Sequence, residues 1–158
     1  MASKRVAVIG ASGYGGLQTL RLLQGHPGLE VSFLGGERSS GKRWSELTPF
    51  LPLPGDPVVQ APDPDAIAAA ADLAVLSLPN GLASRLVPPL LERGVKVVDL
   101  SADYRYGSLQ QWREVYASEA RDFPRSDDAL CAEAVYGLVE WEQERIAAAR
   151  LVAAPGCF

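Results

Sequence analysis

The chain has 158 residues, 47% hydrophobic and 22% charged, with a formal net charge of −4. That length supports one domain with its own core, and the composition excludes a disordered or collagen-like chain. The acidic balance argues against a nucleic-acid binder, which would carry a basic surplus.

Met1 to Arg5 leads straight into Val6-Ala7-Val8-Ile9-Gly10. That apolar piece is too short for a signal-peptide core, and no run approaches the roughly 18 apolar residues of a membrane span. A cytoplasmic location is expected, with Cys131 and Cys157 as free thiols. Two cysteines and one histidine do not make a zinc site, so no metal is expected. His26, in Gly25-His26-Pro27-Gly28, reads as a surface turn residue.

Taken in order, residues 5–9 read as a buried strand. Leu17, Leu20 and Leu23 recur on one helical face, and Gly25 is a helix stop. Residues 30–34 read as a second strand. Residues 41–64, rich in Pro and Gly, read as a loop holding at most one short strand. Asp65 is expected to cap a helix over 66–71, and residues 73–78 form another strand. Pro79-Asn80-Gly81 is turn chemistry. A helix follows, disturbed by Pro88-Pro89 and stopped at Gly94. The next strand is 95–100. Ser108 with Gln111 resembles a capping box opening a helix through Ala120. A polar loop is expected over 121–130, a helix over 141–149 and a last strand over 150–153. Strands alternating with helices predict an α/β fold, a Rossmann-like, doubly wound and mostly parallel sheet, across residues 1–158.

The first strand runs into Gly10-Ala11-Ser12-Gly13-Tyr14-Gly15-Gly16, with a helix behind it. Glycines at 10, 13 and 16 are a spacing variant of the dinucleotide fingerprint. One permits the tight turn, one lets backbone approach a pyrophosphate, and one lets helix pack on strand. The helix start offers free N–H groups and a positive dipole end. Gly10, Ser12, Gly13, Tyr14, Gly15 and Gly16 are therefore candidate cofactor-binding residues. The second strand runs out through Gly35-Gly36 into Glu37-Arg38-Ser39-Ser40-Gly41-Lys42. Glu37 is displaced from the strand end, where an NAD binder places its ribose-binding acid. Arg38, Ser39, Ser40 and Lys42 instead offer charge and hydroxyls suited to a 2′-phosphate, so NADP is expected over NAD.

Ala154-Pro155-Gly156-Cys157-Phe158 follows the last strand, where open α/β sheets bind their ligands. A helix beginning at Cys157 would lower the thiol pKa and supply oxyanion-holding N–H groups. Cys157 is thus a candidate nucleophile, whereas Cys131 reads as a buried apolar filler.

Six stretches together resemble the N-acetyl-gamma-glutamyl-phosphate reductase family. They are Gly10-Ala11-Ser12-Gly13-Tyr14, Glu37-Arg38-Ser39-Ser40-Gly41-Lys42 and Leu76-Ser77-Leu78-Pro79-Asn80-Gly81. The others are Asp99-Leu100-Ser101-Ala102-Asp103-Tyr104-Arg105, Val135-Tyr136-Gly137-Leu138 with Glu140, and Pro155-Gly156-Cys157-Phe158. The chain departs from that family's pattern at Asn80 (usually His), Val139 (usually Pro) and Ala154 (usually Asn). The resemblance implies an NADP-dependent reductive dephosphorylation of a small acyl phosphate in arginine biosynthesis, through a thioacyl group on Cys157. It implies that Pro79 lies beside the cofactor and that Arg105 grips the substrate. It also implies a downstream substrate domain that holds the catalytic histidine and builds a homo-oligomer. The 158 residues alone are then expected to be inactive. Reductases of carrier-bound aminoadipyl phosphate, aspartate-semialdehyde dehydrogenases and a non-catalytic NADP-binding regulator share enough of these features to stand as alternatives.

Overall fold

Lys4 to Ile9 form β1, and Val6, Ala7, Val8 and Ile9 have no solvent exposure. An uninterrupted apolar run of this kind belongs to a parallel strand covered on both faces. The structure is a computed structural model and describes residues 3–116 and 127–156. Its elements, in chain order, are β1, α1 (Tyr14–Leu23), β2 (Leu29–Gly35), α2 (Trp44–Leu47), α3 (Pro64–Ala70), β3 (Leu73–Leu76) and α4 (Ala83–Glu92). There follow β4 (Lys96–Asp99), α5 (Leu109–Tyr116), α6 (Asp128–Glu133), β5 (Val135–Tyr136), α7 (Val139–Ala148) and β6 (Leu151–Ala153). The chain divides into two units, Met1–Ser77 and Leu78–Phe158.

In the first unit β1 pairs in parallel with β2 on one side and β3 on the other. Leu20 of α1 and Ile67 of α3 are fully buried. The expected loop over 41–64 holds the one-turn α2 and two isolated bridges, Gly35 with Gln60 and Arg43 with Val58. Its anchor is Trp44, which is fully buried and donates Nε1–H to the Leu51 carbonyl at 2.7 Å. Truncating such a side chain to alanine costs about 3–5 kcal/mol. The cap of α3 is Asp63, not Asp65: its carboxylate accepts the Ala66 N–H at 2.9 Å, and Pro64 takes the first helical position. Proline suits that position because its missing N–H would have no helical partner.

In the second unit β6 pairs in parallel with β4 and with β5. Both units thus carry parallel strands with helices, the pattern of a Rossmann-like α/β fold. Helix α4 contains Pro88 and Pro89, and Val87, Leu90 and Leu91 of the same helix are buried. It ends on Gly94, at φ +78°, with Gly94 N–H bonded to Leu91 O at 3.1 Å and Val95 N–H to Leu90 O at 3.0 Å. These are the two bonds of a Schellman stop, and the first residue past the cap favours glycine because it is left-handed. Ser108 Oγ accepts the Gln111 N–H at 3.2 Å, which caps α5 as expected. The predicted extension of that helix to Ala120, and residues 121–126 of the predicted loop, lie outside the described residues. Residues 128–130, the end of that loop, are instead the start of α6. Val135–Tyr136 is a strand that the sequence pattern does not announce.

Candidate functional site

The glycine turn of the first unit is shaped by its own backbone. Gly10 sits at φ +77°, and a Cβ there would lie 2.0 Å from the Ser77 carbonyl oxygen. A Cβ on Gly16 would lie 2.3 Å from the Gly10 oxygen and 2.7 Å from the Ala11 Cα. Those two glycines are required by close approach of main chain to main chain. Gly13 differs: a Cβ there would meet just the Gly10 oxygen, at an ordinary 3.4 Å. Among the described residues nothing demands glycine at 13, so this position leaves space beside the turn. Helix α1 starts here without a side-chain cap and without acidic residues in its first turn. Its leading N–H groups and dipole suit an anion. The turn therefore fits a dinucleotide. Ser12 and Tyr14 are exposed, Tyr14 by 94%.

Past β2, Glu37, Arg38, Ser40 and Lys42 are exposed. Ser39 is buried, and its Oγ would lie 2.4 Å from a Cβ on Gly36. Gly36 thus makes room for Ser39, whereas a Cβ on Gly35 would meet Ile9 at 2.5 Å, and Arg38 and Ser40 face outward on either side of the buried serine. His26 is exposed in its turn, as expected, and its Nδ1 accepts the Gly28 N–H at 3.1 Å.

In the second unit two buried carboxylates organise the loops after β3 and β4. Asp103 has no solvent exposure and accepts Gly81 N–H at 2.6 Å and Ser84 N–H at 3.1 Å. Asp99, also fully buried, accepts Ser101 N–H at 2.9 Å and the Ser101 hydroxyl at 2.8 Å. Burial pushes Asp99 up from its ordinary 3.8 to about 6, with the Ser101 bonds opposing and the nearby Asp103 adding to the rise. Asn80 Oδ1 accepts the Ala102 N–H at 2.9 Å. The departure from histidine therefore carries a structural bond between the two loops. Pro79, in the same turn, is exposed.

Arg105 is half-buried. Its Nε donates to Ala154 O at 2.9 Å, Nη2 to Leu100 O at 3.1 Å and Nη1 to the Tyr116 hydroxyl at 3.2 Å. It reaches the chain just before Cys157, which itself lies outside the described residues. Cys131 is buried on α6, with Sγ 4.0 Å from Asp103 O. Sequence reasoning gave no separate role to Asp99, Ser101, Asp103 or Asn80. The available signal was two acids and a serine at alternate positions directly after a strand, a pattern that favours side-chain-to-backbone bonds over exposure.

The family described as semialdehyde dehydrogenase, NAD binding domain, matches residues 5–149. The chain belongs to that family. The N-acetyl-gamma-glutamyl-phosphate reductase of Synechococcus sp. (strain CC9605) is 71% identical over 154 residues, 98% of this chain and 43% of the relative. The chain thus spans less than half the length of the curated relatives it matches. Among solved structures, an aspartate semialdehyde dehydrogenase II from Vibrio cholerae, complexed with ASA, has a TM-score of 0.65 at 22% identity. The match covers 98% of this chain and 42% of that one. Aspartate semialdehyde dehydrogenase with NADP from Candida albicans also has a TM-score of 0.65, at 20% identity, covering 97% and 42%. These two likenesses show the fold.

Proposed function

We propose that this domain serves an NADP-dependent reductase of N-acetyl-gamma-glutamyl phosphate, with Cys157 as its nucleophile. The observation that carries the reading is the glycine turn, where Gly10 and Gly16 are required by the chain's own backbone and Gly13 is left open. The 71% identity to a named reductase and the six sequence motifs supply the substrate class. Gly10, Ser12, Gly13, Tyr14, Gly15 and Gly16 hold the pyrophosphate, Arg38 and Ser40 meet the 2′-phosphate with Ser39 beneath them, and Pro79 lines the nicotinamide side.

The Cys157 thiolate attacks the acyl carbon, phosphate leaves, and a thioester remains on Cys157. Splitting the reaction this way replaces one difficult step by two easier ones. A nicotinamide cofactor held at the glycine turn would supply the hydride needed to reduce this thioester, after which Cys157 would leave as thiolate and release the semialdehyde. Arg105 uses three of its five N–H donors on the protein among the described residues, and we assign the other two, which have no partner among those residues, to an anionic group of the substrate.

The test is phosphate-dependent NADP reduction with N-acetylglutamate semialdehyde, catalysed by the full-length protein. Cys157→Ser should abolish turnover and keep NADPH binding. In the same preparation Arg38→Ala should weaken NADPH by roughly 1.5–3 kcal/mol, as for a charged hydrogen bond, and leave NADH nearly unchanged. Turnover by the serine variant, or greater activity with aspartate semialdehyde, would overturn the assignment.

A further inference from the structure

We infer that Arg105 is a positioning residue, whose guanidinium holds the Ala154-Pro155-Gly156 turn and thereby fixes the main chain from which Cys157 extends. The inference rests on the reading of Cys157 as nucleophile and adds a second task to a residue otherwise read as a substrate grip.

The turn is held from several directions. On leaving β6, the Ala153 carbonyl accepts Gly137 N–H at 2.7 Å, and Ala154 N–H donates to Asp99 O at 2.8 Å. The Ala154 carbonyl then takes the Arg105 Nε–H at 2.9 Å. Pro155 has no N–H and a restricted φ, so it adds stiffness without needing a partner. Gly156 follows. A Cβ at 156 would lie 3.2 Å from Arg105 Nη1 and 3.7 Å from Cζ. Gly156 does not sit at positive φ. A side chain at 156 would therefore press on the guanidinium rather than strain the backbone.

The guanidinium is itself oriented. Nη2 is tied to Leu100 O at 3.1 Å, and Nη1 to the Tyr116 hydroxyl at 3.2 Å. The Tyr116 ring is in turn set 6.0 Å from Trp112, which is buried, and 6.2 Å from Tyr106. Three acceptors around one plane match a rigid fork. A lysine ammonium, a point charge on a flexible stem, cannot serve all three. Every bond made to residue 154 uses its main chain.

Alkylation and hydrogen exchange are measured on the full-length enzyme without substrate, so that a grip on substrate contributes nothing to them, and kcat and KM are measured separately with substrate. Arg105→Lys keeps the charge and loses the fork. Gly156→Ala keeps Arg105 and pushes against it from the other side. Both variants should shift the pH midpoint of Cys157 alkylation by iodoacetamide upward by a unit or more, and kcat should fall at least tenfold. Hydrogen exchange at the Ala154 amide should accelerate at least tenfold in both, with NADPH affinity within twofold of the parent. A raised KM with unchanged alkylation midpoint and unchanged Ala154 exchange would overturn the inference and leave Arg105 as a grip alone. Ala154 exchange does not depend on what Cys157 does, so retained turnover in Cys157→Ser would sink the mechanism while the state of the turn was still read.

Discussion

Asp99 shows how a single buried group can set a pH dependence. Its carboxyl, pushed up to about 6, holds its proton in the folded chain at pH values where an unfolded aspartate has lost it. Between about pH 4 and 6 the folded state therefore binds more protons, and this group's contribution to stability falls as pH rises, levelling off above 6. Asp56, Asp72 and Glu133 are lowered instead, by the Ser45, Arg5 and Arg150 partners respectively. They act oppositely, adding stability that is lost as pH falls through the acid range. Asp99→Asn resembles the protonated form, since an amide can still accept Ser101 N–H. The variant should match the parent near pH 4 and exceed it increasingly up to pH 6 and beyond, by on the order of 3 kcal/mol. Urea titrations at a series of pH values measure this, and a difference independent of pH would refute it. Nothing in the sequence separates Asp99 from an exposed aspartate. The Asp-x-Ser-x-Asp spacing shows that local bonds are available, whereas burial depends on elements such as β6, which pairs with β4 and arrives from later in the chain.

At the scale of elements, the long periodic segments were legible. The continuous apolar run of β1, the leucine face of α1 and the Gly94 stop of α4 each state their structure locally. The elements missed are those whose reason is not local. β5 is two residues long and exists because Val135 and Tyr136 find β6 beside them. α6 has Cys131 as its one buried residue among those described, too little for an apolar period to register. The α3 cap was placed two residues late, although Pro64 at the first helical position marks Asp63 as the cap. The start of α7 offers a test of such local reasoning. Val139 is its first residue and is 57% exposed. Leu138 before it, at φ −81° and ψ 90°, lies outside the helical region that a following proline disfavours. Val139→Pro should thus fit without strain and stabilise the protein by about 0.4–1 kcal/mol, chiefly by restricting the unfolded chain. A lower urea midpoint would show that the Val139 N–H or side chain has a role.

For the molecule as a whole, each unit has its own signature. The glycine turn and the Arg38 loop are in the unit Met1–Ser77, and the Asp99–Arg105 loop and the approach to Cys157 are in the unit Leu78–Phe158. The motifs were legible because they depend on covalent spacing, such as glycines three apart or Pro-Gly before Cys. The hydrogen-bond partners of Arg105 were not, because Ala154 is 49 residues away in sequence. Reducing the thioester gives a thiohemiacetal, and forming and collapsing it needs a proton donor and acceptor near neutral pH, most often histidine. The one histidine here, His26, is exposed in a turn and bonded to Gly28 N–H. These 158 residues alone should accordingly bind NADPH and show no turnover, while a full-length relative assayed beside them does. Comparable rates would mean that the base lies within this sequence.

Cys131, walled in at 1% exposure with its sulfur against the Asp103 main chain, has one more use. A reagent cannot reach that thiol until the structure around α6 gives way. With fast reclosing, its labelling rate scales with the fraction of time that region is open, and so reports the free energy of opening in the native protein without any denaturant. The same sulfur that contributes nothing to the chemistry proposed for Cys157 is thereby a gauge of the stability of the scaffold.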